Sequence, residues 1–129
     1  MNKNDYVSLE VAKLLKEKGY DEYCEAYYHI SQPKEATEEE CFEAAPNKDF
    51  KNSNNKFRIG APSLYQAHKW LLQHNLFVSI SLYGKEWYWS IHNAVNGNMI
   101  CSLFDKTDKT FPTNEEALNS GIQQALLLI

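Results

Sequence analysis

No apolar run in this chain reaches the roughly eighteen residues that a membrane-spanning helix requires. The start, Met1-Asn2-Lys3-Asn4-Asp5, has no apolar stretch of the kind a secretory signal carries. A cytoplasmic protein without a membrane partner is the expectation. Cysteine is scarce: Cys24, Cys41 and Cys101 are three, with no CxxC among them. That argues against a disulfide framework and against a structural zinc site, which needs closely spaced ligand pairs. The four histidines, His29, His68, His74 and His92, form no HExxH, and the six-residue spacing of His68 and His74 suits no single helical face. Neither a metal nor a cofactor is expected. There is no G-x-G-x-x-G, no Walker loop and no G-x-S-x-G.

A basic surface is also missing. Residues 1–56 hold eight lysines against twelve acids, a balance of −4; residues 57–129 hold five bases against five acids. Neither half clusters the positive charge that neutralises phosphates, so nucleic acid is not expected as a partner.

What is present is ordinary globular composition over 129 residues, 43% apolar and 23% charged, with aromatics at 13%. One domain, 1–129, is expected, carrying a flexible acidic loop at 31–56. That segment has six apolar residues in twenty-six, two prolines and the run Glu38-Glu39-Glu40. A short helix over "TEEECFEAA", capped by Thr37 with Glu40, is the regular structure it suggests.

The spacing predicts an N-terminal helix over about 8–18, capped by Ser8 and closed by Gly19, with Val11, Leu14 and Leu15 on its apolar face. Alternation over 23–30 predicts a further strand, and "FRIGAP" at 57–62 reads as a short strand leading into the next helix. The C-terminal half predicts a helix over 63–75, ended by Asn75, with Leu64, Ala67, Leu71 and the His68/Leu72 row inward and Trp70 off the stripe. Strands follow at 76–83, 86–94 and 99–105, then a helix over 114–128 capped by Thr113 and Glu116, with Leu118, Ile122, Ala125 and Ile129 as its stripe. The fold class is α+β: a three-stranded antiparallel meander over about 76–105 packed against two helices.

Register is written in "LFVSISLYGKEWYWSIHN". A two-residue Gly84-Lys85 turn pairs Leu82 with Trp87, Ile80 with Trp89 and Val78 with Ile91, an all-apolar set. The opposite face pairs Ser81 with Tyr88, Ser79 with Ser90 and Phe77 with His92. A one-residue slip mixes the two sets, so the register is strongly specified. For the second hairpin, an Asn96-Gly97-Asn98 loop pairs Val95 with Met99 and Ile91 with Leu103. Trp87 and Trp89 are accordingly core.

The other face carries Phe77, Ser79, Ser81, Tyr83, Tyr88, Ser90, His92, Ile100, Ser102 and Phe104. Two fates suit it: cover of part of it by the N-terminal helix or the 23–30 segment, which the sequence favours, or contact with a ligand or partner. For the second, Tyr83, Tyr88, His92 and Phe104 are the binding candidates. A Cys101–His92 nucleophile would need hydrogen-bond reach, and the register places the two on opposite faces. A non-enzymatic protein acting by protein–protein interaction is the first functional reading. A small-molecule or nucleotide-binding domain using the same aromatic and serine-lined face is the second.

Helix, three antiparallel strands, helix is also the element order of double-stranded-RNA-binding domains. Their second helix begins with a lysine cluster, where this chain has Thr113-Asn114-Glu115-Glu116. Acids there repel phosphate, and shared order alone carries no function. Three stretches, "YVSLEVAKLLKEKGYDE" at 6–22, "APSLYQAHKWLLQHNLFVSI" at 61–80 and "NEEALNSGIQQALLLI" at 114–129, resemble small uncharacterised proteins of gut Bacteroidales and their phages and prophages. The resemblance covers about half the chain and departs from the pattern at Tyr23, where many relatives carry proline after the first helix. It implies a phage or mobile-element context and, with it, a protein of the bacterial host as partner. It supplies no activity.

Overall fold

The computed structural model describes residues 2–30, 36–45, 49–54 and 56–129. The fold is α+β, and the chain divides into two compact units, Met1–Ser63 and Leu64–Ile129. No helix of the described residues is long and apolar enough to cross a membrane.

In the first unit, α1 (Leu9–Glu17) begins at Ser8, whose hydroxyl accepts from the Val11 N–H at 3.3 Å. Its buried residues are Val11, Ala12 and Leu15, and it packs against a strand of its own unit, β3 (Arg58–Gly60). The strand expected over 23–30 is the shorter β1 (Ala26–His29). It is the centre of a sheet in the order β2-β1-β3, where β2 is Phe42–Ala44. Both pairings are antiparallel, with Tyr28 opposite Phe42 on one side and Ile59 on the other. The short strand expected in "FRIGAP" is β3, whereas β2 falls where a helix is expected, its three residues too few for alternation to register.

Of the segment 31–56, residues 31–35, 46–48 and 55 lie outside the described residues. The described remainder includes one helical turn, α2 (Glu38–Cys41), with Thr37 as its cap as expected. The helix does not run on through "FEAA", because Phe42 already has extended backbone and enters β2. Asn52 ties the end of this segment to the unit: its amide donates to the Tyr20 carbonyl at 2.8 Å and its oxygen accepts from the Gly60 N–H at 2.8 Å.

The second unit is the predicted meander with its two helices. It comprises α3 (Leu64–Leu72), β4 (Leu76–Tyr83), β5 (Glu86–Asn93), β6 (Met99–Ser102) and α4 (Asn114–Leu126). The sheet order is β4-β5-β6, and both helices pack on it and on each other. Every β4–β5 pair is as the alternation predicts, from Phe77–His92 to Tyr83–Glu86. Gly84, at φ 66°, supplies the left-handed position the tight turn requires. Thr113 caps α4 by accepting from the Glu116 N–H at 3.2 Å. Asn75, at φ 62°, ends the turn that follows α3.

Several expectations are corrected. The second hairpin pairs His92 with Met99 and Ile91 with Cys101, with an irregularity between Ile91 and His92. The reason is local: the Asn93 side chain accepts from the Val95 and Asn96 N–H groups, so the chain turns before Val95 can join the strand. The third strand stops at Ser102, and Leu103–Asp105 is a 3-10 turn braced by the Asp105 carboxylate on the Ser102 N–H at 2.7 Å. Trp89 is core, but Trp87 is only half-buried and Leu82 is 60% exposed. Alternation fixes which face points to the helices, not how far along the hairpin the helices reach. Trp70 is buried and Leu72 exposed, the reverse of the predicted stripe. On α4 the buried set is Ala117, Gly121, Ile122, Ala125 and Leu126, while Leu118 is half-buried and Ile129 exposed.

Candidate functional site

The sheet face turned away from α3 and α4 is built in cross-strand rows. Ser79, Ser90 and Ser102 are neighbours across all three strands and form a small, hydroxyl-bearing row. On one side of it stand Ser81 and Tyr88, then Tyr83. On the other side stand Phe77 and His92, with Met99 opposite His92.

Three of the four predicted binding residues come together. The Phe104 ring lies 4.9 Å from Tyr88 and 5.4 Å from Tyr83, both in tilted contact. Phe104 reaches them from the 3-10 turn after β6 and not, as expected, from the strand itself. The fourth is apart. His92 is four residues from Tyr88 along β5, roughly 13 Å at the usual strand rise. Tyr83 is 66% and Phe104 42% exposed. Tyr88 and His92 are half-buried.

His92 is held at both ring nitrogens. Nε2 lies 2.9 Å from the Ser90 hydroxyl and Nδ1 lies 3.3 Å from the Gly97 carbonyl oxygen. A carbonyl only accepts, so Nδ1 donates to it and, in the neutral ring, Nε2 accepts from Ser90. Beside His92 the sheet face opens into a recess of about 420 Å3, which Phe77 and Ser79 also line. Sequence reasoning places Phe77 and Ser79 on this face but gives no sign of the recess. Its remaining walls come from Leu72 at the end of α3, which the helical pattern places inward, and from the 93–97 loop, which carries no periodicity.

Cys101 pairs with Ile91, so it shares the Ile91 face and not that of His92. Burial, and then the nearby Asp105 charge, raise its thiol pKa. Cys24, in the first unit, is pushed up to about 12 by burial. Both are held in the protonated form, the weaker nucleophile. Among the described residues no group of three or more histidine, cysteine or acidic side chains is placed to hold a metal ion.

In the first unit, His29 Nε2 pairs with the Glu43 carboxylate, which this hydrogen bond holds below its ordinary value. The Arg58 guanidinium lies over the Tyr27 ring at 4.8 Å. These contacts link neighbouring strands of the β1–β3 sheet. The chain matches no family model, no curated protein and no solved structure.

Proposed function

We propose that the protein is a non-enzymatic accessory protein of the cytoplasm that meets a protein partner through Tyr83, Tyr88 and Phe104. The observation that carries this reading is a mutually packed aromatic trio of which Tyr83 and Phe104 remain substantially exposed. Tyrosine and phenylalanine give large contact area for few rotatable bonds, and such clusters supply most of the energy in protein interfaces. The small serines alongside leave the rings standing clear. The face itself carries no lysine or arginine, which suits a protein surface better than a phosphate backbone. Thiols held protonated and the absence of catalytic motifs from the sequence favour binding over catalysis. The resemblance to proteins of gut Bacteroidales and their phages supports a phage or mobile-element setting, with a bacterial host protein as the partner. The small-molecule reading draws on a different observation, the recess at the His92 end.

Tyr83→Ser tests the proposal. Capture of a discrete partner from bacterial lysate should fall by about tenfold or more, with the melting temperature unchanged. Equal capture by wild type and variant, or loss of capture only in step with loss of folding, overturns it.

A further inference from the structure

We propose that the recess at the His92 end of the sheet binds a small, uncharged molecule built on a planar ring. This assignment stands apart from the protein-contact reading, which uses the opposite end of the face. The volume, about 420 Å3, lies within the roughly 300–1,000 Å3 usual for small-molecule sites.

The walls are pinned. Phe77 and His92 are direct cross-strand partners on β4 and β5. The Phe77 ring is held against His68 at a centroid distance of 4.8 Å. The loop wall is fixed by the Asn93 side chain, which accepts from the Val95 N–H at 2.8 Å and the Asn96 N–H at 3.3 Å. A 2.8 Å hydrogen bond from Gly97 N–H to the Asn93 carbonyl closes the same loop. Ala94 N–H donates to the Asn75 carbonyl at 2.8 Å, tying the loop to the turn after α3 that carries Leu72. A site ordered before its ligand arrives loses little entropy on binding.

The lining sets the ligand class. Leu72, Phe77 and Ala94 are apolar, and no lysine, arginine or carboxylate lines the recess. His92 has both ring nitrogens occupied within the protein, so it presents a ring surface. A charged ligand would lose hydration with no opposite charge to meet it. Two neutral polar groups can face a ligand, the Ser79 hydroxyl and the NH2 of the Asn93 side chain, whose oxygen is engaged within the loop. A donor and a hydroxyl suffice to orient a ring bearing a carbonyl or amide. Phe77 and His92, their Cβ atoms roughly 5 Å apart as cross-strand neighbours, offer adjacent rings against which a flat ligand packs by offset or edge contact. A phosphate-bearing nucleotide does not fit this lining.

Benzamide and benzoate share a ring and differ in charge, and they separate the two parts of the proposal. Titrated into the 15N-labelled full chain, benzamide should give saturable amide shifts confined to Leu72, Phe77, Ser79 and residues 92–97. Benzoate should bind weaker by about tenfold or more. Ala94→Phe fills the recess from an exposed position and should abolish the benzamide shifts while the rest of the spectrum is retained. Shifts that scatter, fail to saturate or survive Ala94→Phe overturn the site. Equal binding of benzoate overturns the ligand class.

Discussion

Gly121 sets how closely α4 approaches the sheet. A Cβ built there would lie 2.5 Å from Val78 Cγ1 and 2.9 Å from Trp89 Cβ, both in the buried core. Gly121→Ala gains up to about 1 kcal/mol of helix propensity, yet overpacking costs about 1–3 kcal/mol. Trp89 has little room to move, because its indole N–H also donates to Ser120 Oγ on α4 at 3.0 Å. The expected net effect is destabilisation, read as a lower urea midpoint. A variant as stable as wild type would show that α4 shifts freely. Asn52 plays a comparable part in the first unit. Asn52→Ala removes partners from the buried Tyr20 carbonyl and Gly60 N–H, at about 1–3 kcal/mol for each group left unsatisfied. Far-UV circular dichroism on thermal unfolding measures this, and an unchanged midpoint would contradict the role given to Asn52.

Among the elements, β4 is an edge strand whose outward Val78 N–H is satisfied by His68 Nε2 at 3.1 Å. Only a deprotonated nitrogen accepts, and burial lowers the His68 pKa below its ordinary 6.5. The unfolded chain therefore binds a proton that the native state resists. The stability from this group is complete above about pH 6.5 and is lost as pH falls through the depressed native value. Between about pH 7.5 and pH 5 the wild-type urea midpoint should fall, and His68→Gln should flatten that part of the profile. A profile indifferent to the substitution would exclude the link. Glu43, paired with His29, acts in a separate and more acidic window, below its ordinary 4.5.

The first hairpin was legible in the sequence because an eight-residue alternation on each strand meets at a turn only glycine suits. The second was not, since its register depends on an Asn93 side chain competing for backbone N–H groups, which no periodicity reports. The same contrast holds for the candidate site. Tyr83, Tyr88 and His92 ride on the legible hairpin, whereas Phe104 arrives by a 3-10 turn and the recess is closed by a loop.

For the whole molecule, the division at Ser63 and Leu64 places a buried aliphatic and tryptophan core entirely within 64–129, including Leu71, Trp89, Ile91, Ile122 and Leu126. A fragment of those residues should fold by itself with a cooperative transition. At this length such folding is marginal but common. Loss of near-ultraviolet dichroism in the fragment would show that its packing depends on the rest of the chain.

That division also sorts the chromophores. Trp70, Trp87 and Trp89 all belong to the second unit, and Tyr6, Tyr20, Tyr23, Tyr27 and Tyr28 to the first. Emission excited at the red edge of the aromatic band therefore reports on residues 64–129 alone. The first unit is silent in that channel. Cys101 is partly exposed, whereas Cys24 and Cys41 are buried. A thiol-reactive dye under native conditions should accordingly mark the same unit that already carries the indoles, making it optically addressable without any engineered residue.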